Sequence, residues 1–394
     1  MAELAHLLKA VTMAQSEGED AVLATVVKVE GSAYRRPGAR MLITALGQTQ
    51  GTLSGGCLES EVARTAFWLT EQGPALRSYS TAEDEEDGDA AVSFGLGCNG
   101  TVHILFERIS APVTGLLLDG LRALQADDQP RAVATLLSPE AVLGQRLLLA
   151  SNGALEGEVP APLQAAVAAV LQQALEQERS SLHGFSRQGG HAEVLVEYLS
   201  PVRRLVIFGG GHDAQPLARM AKQLGWRVTV VDSRAHFARE SRFPEADDVL
   251  LGRLDDSFDP LPLLQGAAVA VMTHSLQQDA HWLGCALRSQ AAYIGQLGPR
   301  ERTERLLRGM PAAVEIEQYK RRLHYPMGLD LGGDTPETVA MAVLAEVTAV
   351  LNAREGGMLK HRAAAIHDMA PTHFHSADAP AQRPIPSDSR RFDR

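Results

Sequence analysis

Residues 205–214 read Leu-Val-Ile-Phe-Gly-Gly-Gly-His-Asp-Ala, an apolar run that passes directly into a glycine-rich turn. Small and apolar residues then recur at helical spacing up to Gly225, which stands where a helix C-cap is expected. A second apolar run, 227–231, ends on Asp232, about twenty residues beyond the glycines. Because strand, glycine turn, helix, strand and acid in this order are typical of a dinucleotide-binding βαβ unit, the sequence predicts a Rossmann-like fold here.

The residues of such a turn have separate tasks. Gly209 allows the tight turn, Gly211 lets the backbone approach a pyrophosphate, and Asp232 can accept from a ribose hydroxyl. Between the nicotinamide cofactors, the charge of Asp232 disfavours a 2′-phosphate and so favours NAD, whereas Arg234 leaves NADP open. Since fold does not fix function, the pocket can also be vestigial or hold another ligand.

Length and composition limit the classes of protein. The chain has 394 residues, enough for two or three domains, with 45% hydrophobic and 22% charged residues. Its net charge of -11 argues against generic nucleic-acid binding. The longest apolar runs are strand-sized, so we expect no membrane span, and residues 1–20 lack a signal-peptide core. Three cysteines make no disulfide framework, which favours the cytoplasm, and Cys285 is predicted to be a core residue.

The alternation of apolar runs and helical segments continues beyond the βαβ unit. Strand-sized runs separated by helical segments predict a doubly wound parallel sheet; they are 204–208, 227–231, 248–251, 267–273 and 291–295. We therefore predict an α/β chain with an N-terminal α+β domain over 1–198 and a Rossmann-like domain over 199–355. The aperiodic segment 356–394 is predicted to be a disordered tail.

Two glycine loops in the N-terminal domain each hold a cysteine. Cys57 follows Gly55 and Gly56, and Cys98 follows Gly97. Glycines beside a cysteine let a bulky ligand approach the backbone and leave the sulfur accessible. Both cysteines can equally be small buried residues in tight turns, the commonest state of a free cysteine.

Other polar residues occupy positions suited to ligands. The Gly/Pro-rich loop 31–40 contains Arg36 and Arg40, and arginines can bind a phosphate bidentately. His274 follows the strand 267–273, whose carboxyl end is expected to open on the crevice of the sheet. The sequence thus predicts ligand-binding groups in both domains.

These segments together resemble the XdhC/CoxI family, the accessory factors of molybdenum hydroxylases such as xanthine dehydrogenase. The resemblance rests on residues 31–41, 54–59, 95–101, 209–212, 231–232, 273–279, 293–298 and 328–332. It does not cover about 110–200 or the tail. Asn99 stands where the family more often has glycine, a change that preserves the loop because asparagine tolerates left-handed geometry.

The resemblance implies a chaperone that binds the molybdenum cofactor, protects it while a cysteine desulfurase installs its sulfido ligand, and delivers it to the apo hydroxylase. Soft thiolates suit molybdenum, so Cys57 is the expected metal ligand, and arginines suit the cofactor's phosphate. The residues expected to bind the cofactor or a dinucleotide are Cys57, Cys98, Arg36, Arg40, Gly55, Gly56, Gly97, Gly209, Gly211, His212, Asp232 and His274. No catalytic residue is implied, and the chain is expected to be a homo-oligomer.

Two other classes of function remain open at this point. A NAD(P)-dependent oxidoreductase is favoured by the intact glycine turn and by His274 as a proton donor, but it leaves the cysteine loops unexplained. A scaffold that bridges desulfurase and hydroxylase has no need of glycines beside cysteines.

Overall fold

The computed structural model describes residues 2–376 except 32–33, 57, 81–91, 94–99, 188–189, 256, 311–320 and 364–371. The helices are α1 Ala2–Glu17, α2 Glu59–Leu69, α3 Pro112–Asp127, α4 Ala161–Gln177, α5 Ala214–Gln223, α6 Leu261–Leu264, α7 Leu276–Arg288, α8 Arg300–Arg308 and α9 Pro336–Leu351. Within this described part, no helix combines the length and the apolar character that crossing a bilayer requires.

The described strands belong to three sheets. In chain order they are β1 Ala21–Gly31, β2 Arg40–Thr44, β3 Thr49–Gly51, β4 Ala75–Ser80, β5 Val92–Ser93, β6 Gly100–Arg108, β7 Arg131–Leu136, β8 Arg146–Ala150, β9 Leu155–Gly157, β10 Ser181–Arg187, β11 Gly190–Leu199, β12 Arg204–Phe208, β13 Arg227–Asp232, β14 Asp248–Leu251, β15 Ala268–Val271, β16 Tyr293–Gln296, β17 Leu323–His324 and β18 Thr372–Ser376. The chain divides into an N-terminal unit, His6–Pro201 with His367–Arg394, and a Rossmann unit, Val202–Ile366 with Met1–Ala5.

The Rossmann unit contains a parallel sheet with the strand order β14-β13-β12-β15-β16-β17. Successive strand residues point to opposite faces. Leu205 and Ile207 therefore join the core under α5 and α9. Val206 and Phe208 join the core under α7 and α8. This arrangement confirms the predicted doubly wound sheet, with β17 as an additional edge strand.

The last helix, α9, begins with a reciprocal cap. The side chain of Thr335, the N-cap of α9, accepts from the backbone N–H of Thr338, and the Thr338 hydroxyl accepts from the backbone N–H of Thr335. Pro336 stands in the first turn, where its missing N–H leaves no hydrogen bond unmade. This reciprocal capping fixes the point at which the loop 328–333 becomes helix.

The N-terminal unit contains two sheets, ordered β3-β2-β1-β6-β4-β5 and β18-β10-β11-β7-β8-β9. Helix α2 buries Val62 and Ala66 against the first sheet, and α4 buries Val167 and Leu171 against the second. A smaller apolar cluster joins residues of both sheets: Val27, Leu105, Leu137, Leu143, Leu182 and Leu195. The predicted α+β character of this half is confirmed.

Part of the C-terminal segment differs from the predicted disorder. Residues 372–376 form β18, which pairs in parallel with β10 from Leu182–Thr372 to Ser186–Ser376. An edge strand offers unpaired N–H and C=O groups, so a short extended segment can add to it without an apolar pattern of its own. Residues 356–363 are described and contain a short 3₁₀ turn, Leu359–His361, whereas the predictions for 364–371 and 377–394 lie outside the described residues.

Candidate functional site

The glycine turn lies at the carboxyl end of β12, and its three glycines have different surroundings. Gly209 has a φ of 116°, and a Cβ placed there would lie 2.5 Å from the carbonyl oxygen of Met272. A Cβ at Gly210 would lie 2.8 Å from the carbonyl oxygen of Phe237. At Gly211 the nearest atom, on the ring of His274, is 3.8 Å away. The fold therefore requires Gly209 and Gly210, whereas a Cβ at Gly211 would make only ordinary contact with the His274 ring, so the fold itself does not require glycine there.

Asp232, at the end of β13, is fully buried beneath this turn. Its carboxylate accepts from the backbone N–H groups of Gly210 and Arg234, both at 2.8 Å. It also accepts from Nε and Nη2 of Arg234 at 3.0 and 2.9 Å. Burial alone would raise the pKa of Asp232, but these hydrogen bonds outweigh it and lower the pKa. In this structure the predicted ribose acceptor is engaged by the protein itself.

His274 and His212 lie beside the same turn. His274 lies three residues beyond the end of β15, has the left-handed φ of 63°, and places Nε2 3.3 Å from Oδ2 of Asp213. Its side chain is 60% exposed, and the whole residue His212 is exposed as well. The structure thus brings together Gly209, Gly211, His212 and His274, which the sequence placed at one site.

A second polar network, centred on Asp279 of the segment 273–279 that carries the family resemblance, lies at the carboxyl ends of β15 and β16. Asp279, almost fully buried, accepts from the backbone N–H and the hydroxyl of Thr273 at 3.1 and 2.6 Å. It also accepts from Nε2 of Gln296 at 3.2 Å and from Arg302 at 2.6 Å. Asp279 stands in the first turn of α7, where an acid often binds nearby N–H groups. Its four donors give Asp279 a structural task.

In the N-terminal unit, the loop before α2 closes around the carboxylate of Glu59. Five backbone N–H groups and two hydroxyls donate to it over 2.5 to 3.1 Å, from Thr52, Leu53, Ser54, Gly55, Gly56 and Leu58. Burial opposes the charge, but these hydrogen bonds hold the pKa of Glu59 well below its usual range. An N–H concavity of this kind can bind an anion, and here the anion is the protein's own carboxylate.

The arginine loop 31–40 and the glycine loop that precedes Cys57 meet at Tyr34. A Cβ built at Gly55 would lie 3.0 Å from the ring of Tyr34, and both Gly55 and Gly56 are exposed. Tyr34 belongs to the arginine loop, and its own ring is largely exposed. Cys57, Cys98 and Gly97 lie outside the described residues.

The two candidate arginines of the loop 31–40 have different environments. Arg40 is buried and donates through Nη2 to both carboxylate oxygens of Glu197, at 2.9 and 2.8 Å. Its Nη1 donates to the carbonyl oxygen of Gly38 at 2.8 Å. Arg36 is exposed. The predicted phosphate contact of Arg40 is thus replaced by an internal ion pair, while Arg36 remains on the surface.

Two histidines of the tail segment, His373 and His375, contact His183 on β10. His183 Nδ1 lies 2.8 Å from His375 Nε2, and the His183 ring stacks on those of His373 and His375. Among the residues the structure describes, no group of three or more His, Cys, Asp or Glu side chains forms a metal site. Cys285 is buried, as predicted, and burial raises the pKa of its thiol.

Comparison with known proteins places this chain among related sequences and structures. Models of the XdhC and CoxI family and of the XdhC Rossmann domain match residues 14–80 and 205–347. A probable xanthine dehydrogenase subunit of Bacillus subtilis (strain 168) is 32% identical over 330 residues, 84% of this chain and 92% of that protein. The molybdenum cofactor insertion chaperone PaoD of Escherichia coli (strain K12) is 24% identical over 345 residues, 87% of each chain.

A solved structure described as a xanthine dehydrogenase from Bacillus halodurans has the same fold. It superimposes with a TM-score of 0.68 at 27% identity and covers 88% of this chain and 96% of that one. The resemblance inferred from the motifs is confirmed by these matches. With family models on both halves and a 32% identical relative along most of its length, the chain belongs to the XdhC and CoxI family.

Proposed function

We propose that this protein binds the molybdenum cofactor as cargo, protects it during sulfuration and inserts it into an apo molybdenum hydroxylase such as xanthine dehydrogenase. The observation that carries the proposal is the likeness to PaoD, a molybdenum cofactor insertion chaperone, along 87% of both chains. A cysteine desulfurase is the partner that supplies the sulfido ligand. The protein is proposed to act in the cytoplasm as a homo-oligomer.

The N-terminal unit supplies the groups that suit this cargo. Thiolates of Cys57 and Cys98 are soft ligands for molybdenum, and the exposed glycines beside Cys57 admit a planar pterin. The N–H concavity before α2 does not suit the cofactor's phosphate, because Glu59 already places a negative charge in it. We therefore assign the binding of the phosphate to Arg36. Arg40 is left out of this assignment because its guanidinium pairs with Glu197.

The Rossmann unit is proposed to bind a second ligand, either NAD(P) or a dinucleotide form of the cofactor. Gly211 supports this assignment, because the fold does not require glycine at this position and the close approach of a ligand would explain it. The exposed His274 beside the turn also favours the second candidate function, a NAD(P)-dependent oxidoreductase in which His274 moves a proton. The carrier and the oxidoreductase differ in how many client or substrate molecules each protein molecule can process.

A carrier is consumed once per delivery, so we expect client activation about one-for-one with loaded protein. The protein is purified anaerobically from a host that makes the cofactor, assayed for molybdenum and pterin, and mixed with apo hydroxylase. We expect both cargo components to be present and no steady nicotinamide turnover with small carbonyl or hydroxyl substrates. Activation of a large excess of client without resupply of cofactor would overturn the carrier assignment.

Cys57→Ala is expected to lower cofactor retention and client sulfuration without unfolding the protein, because the change removes a soft ligand and leaves the glycines in place. The measurements are molybdenum content after anaerobic gel filtration, client activity and the thermal midpoint. Cys98→Ala serves as the comparison and is expected to weaken retention less. Unchanged client activity for Cys57→Ala contradicts the assignment of Cys57 as the metal ligand.

A further inference from the structure

The buried carboxylate of Asp232 has no acceptor position left for a ligand. A carboxylate offers about four lone-pair sites. Gly210 N–H and Arg234 Nη2 donate to Oδ2, while the N–H and Nε of Arg234 donate to Oδ1. A ribose diol bound in this pocket would find no acid to accept its hydroxyl protons. NAD recognition through Asp232 is therefore incompatible with this arrangement.

Next to Asp232, two guanidinium groups share one aromatic ring. Arg234 Cζ lies 4.0 Å from the ring centroid of Phe237, and Arg242 Cζ lies 5.1 Å from it. Arg242 also donates through Nη2 to the carbonyl oxygen of Gly210 at 3.3 Å. We call Arg234, Phe237 and Arg242 the arginine platform. Because it lies beyond the carboxyl end of β13, it occupies the place where a Rossmann unit binds the ribose of a nucleotide.

The charge of the arginine platform is positive after its internal ion pair is counted. Asp232 neutralises one of the two guanidiniums, since its carboxylate forms its ion pair with Arg234. The side chain of Arg234 is 34% exposed, and its described bonds to Asp232 use Nε and Nη2, not Nη1. The Nε of Arg242 is buried without a hydrogen-bond partner among the described residues. Unused guanidinium donors are the groups that bind a phosphate.

We propose that the Rossmann unit binds a nucleotide with a phosphate at its ribose 2′ position, and that Arg234 and Arg242 determine this specificity. The inference rests on the proposed nucleotide site at Gly211. Asp232 acts as a positioning residue, which holds the Arg234 guanidinium over Phe237 so that little side-chain freedom is lost on binding. The expectation of NAD, drawn from the charge of Asp232 in the sequence, is replaced by NADP.

The test compares four probes by calorimetry on the full-length protein: NADP⁺, NAD⁺, 2′,5′-ADP and 5′-AMP. We expect NADP⁺ to bind at least about tenfold more tightly than NAD⁺, the scale of charge-assisted contacts to one phosphate. 2′,5′-ADP is expected to compete with NADP⁺, and 5′-AMP is not. Equal or tighter binding of NAD⁺ overturns the inference.

Arg242→Gln is the main variant, because Arg242 does not contact Asp232 and its loss leaves no buried charge unpaired. It is expected to weaken NADP⁺ binding about tenfold while NAD⁺ binding stays unchanged. Arg234→Lys keeps the partner of Asp232 but loses the planar fork, so an intermediate loss is expected. A constant ratio of NADP⁺ to NAD⁺ affinity in both variants contradicts the proposed specificity.

Gly211→Val separates a failure of this inference from a failure of the underlying proposals. It is expected to abolish binding of both dinucleotides by steric block at a little-changed thermal midpoint, because Gly211 has no positive φ and a Cβ there would meet only the His274 ring, at 3.8 Å. If the wild type binds neither NAD⁺ nor NADP⁺, the 2′-phosphate inference and the NAD(P) assignment both fall, and the dinucleotide form of the cofactor is the candidate ligand left for this site. The cargo proposal is then still judged by client activation, which uses the N-terminal unit.

Discussion

Glu107→Ala is expected to lower the free energy of unfolding of the N-terminal unit by about 3–5 kcal/mol, because it leaves a buried guanidinium without its carboxylate. Glu107 on β6 and Arg146 on β8 have side chains only 0% and 1% exposed. Arg146 donates to the two carboxylate oxygens at 2.7 and 2.6 Å, so the pair ties one sheet of the unit to the other. Denaturant unfolding followed by circular dichroism measures the effect.

Two controls show whether burial causes this loss. Asp119→Ala breaks the exposed pair with Arg122 and is expected to change the unfolding free energy by less than about 1 kcal/mol. The double variant Glu107→Met with Arg146→Met removes both charges, and it is expected to recover most of the lost stability. A Glu107→Ala protein that unfolds at the same denaturant concentration as Asp119→Ala would show that the buried pair contributes little.

Glu59→Gln is expected to destabilise the loop before α2 by about 2–3 kcal/mol and to reduce retention of the cofactor. The carboxylate accepts seven hydrogen bonds from the loop, and an amide would turn an NH₂ donor towards N–H donors. Since those donors flank Cys57 in sequence, their release alters the support of the proposed metal ligand. Thermal unfolding and molybdenum content are the two measurements.

Glu61→Gln is the matched control, because it removes the same charge from the same helical turn. Glu61 pairs with the exposed Arg64 at 2.7 Å, so little loss is expected. The effect of Glu59→Gln also depends on pH. A carboxylate with a lowered pKa stabilises the fold above its unfolded pKa, here near 4.5, and loses this contribution as pH falls towards the folded value. The deficit should be constant above about pH 5 and shrink below pH 4; a deficit that grows on acidification would contradict this assignment.

The Rossmann unit is the more predictable half of the chain because its signals are local. Strands β12 to β16 coincide with predicted apolar runs, since parallel strands covered on both faces are continuously apolar. The N-terminal unit is less predictable. Strand β10 contains His183, Gly184 and Ser186, and only its pairing with β11 and β18 identifies it as a strand. Such pairings depend on residues far apart in sequence, which a local pattern does not show.

For the candidate site, the sequence located the segments but not the tasks of their charged residues. Arg40 was expected to bind a phosphate, yet its partner Glu197 is 157 residues away in the chain. Asp232 was expected to face a ribose, yet Arg234, only two residues on, and the N–H of Gly210 fill its acceptor positions. A charged residue in a glycine loop needs an opposite charge nearby when it is buried. The local sequence does not show whether that charge comes from a ligand or from a distant part of the protein.

The contrast between Gly209 and Gly211 has a consequence for the history of this pocket. A side chain at position 209 would strike the carbonyl of Met272 whether or not a ligand ever binds, whereas at position 211 only a ligand would be in its way. A lineage that keeps this fold but abandons the nucleotide is therefore expected to retain glycine at 209 and to drift towards alanine or serine at 211. Substitutions at position 211 in related sequences would thus mark the members of the family that no longer bind the ligand.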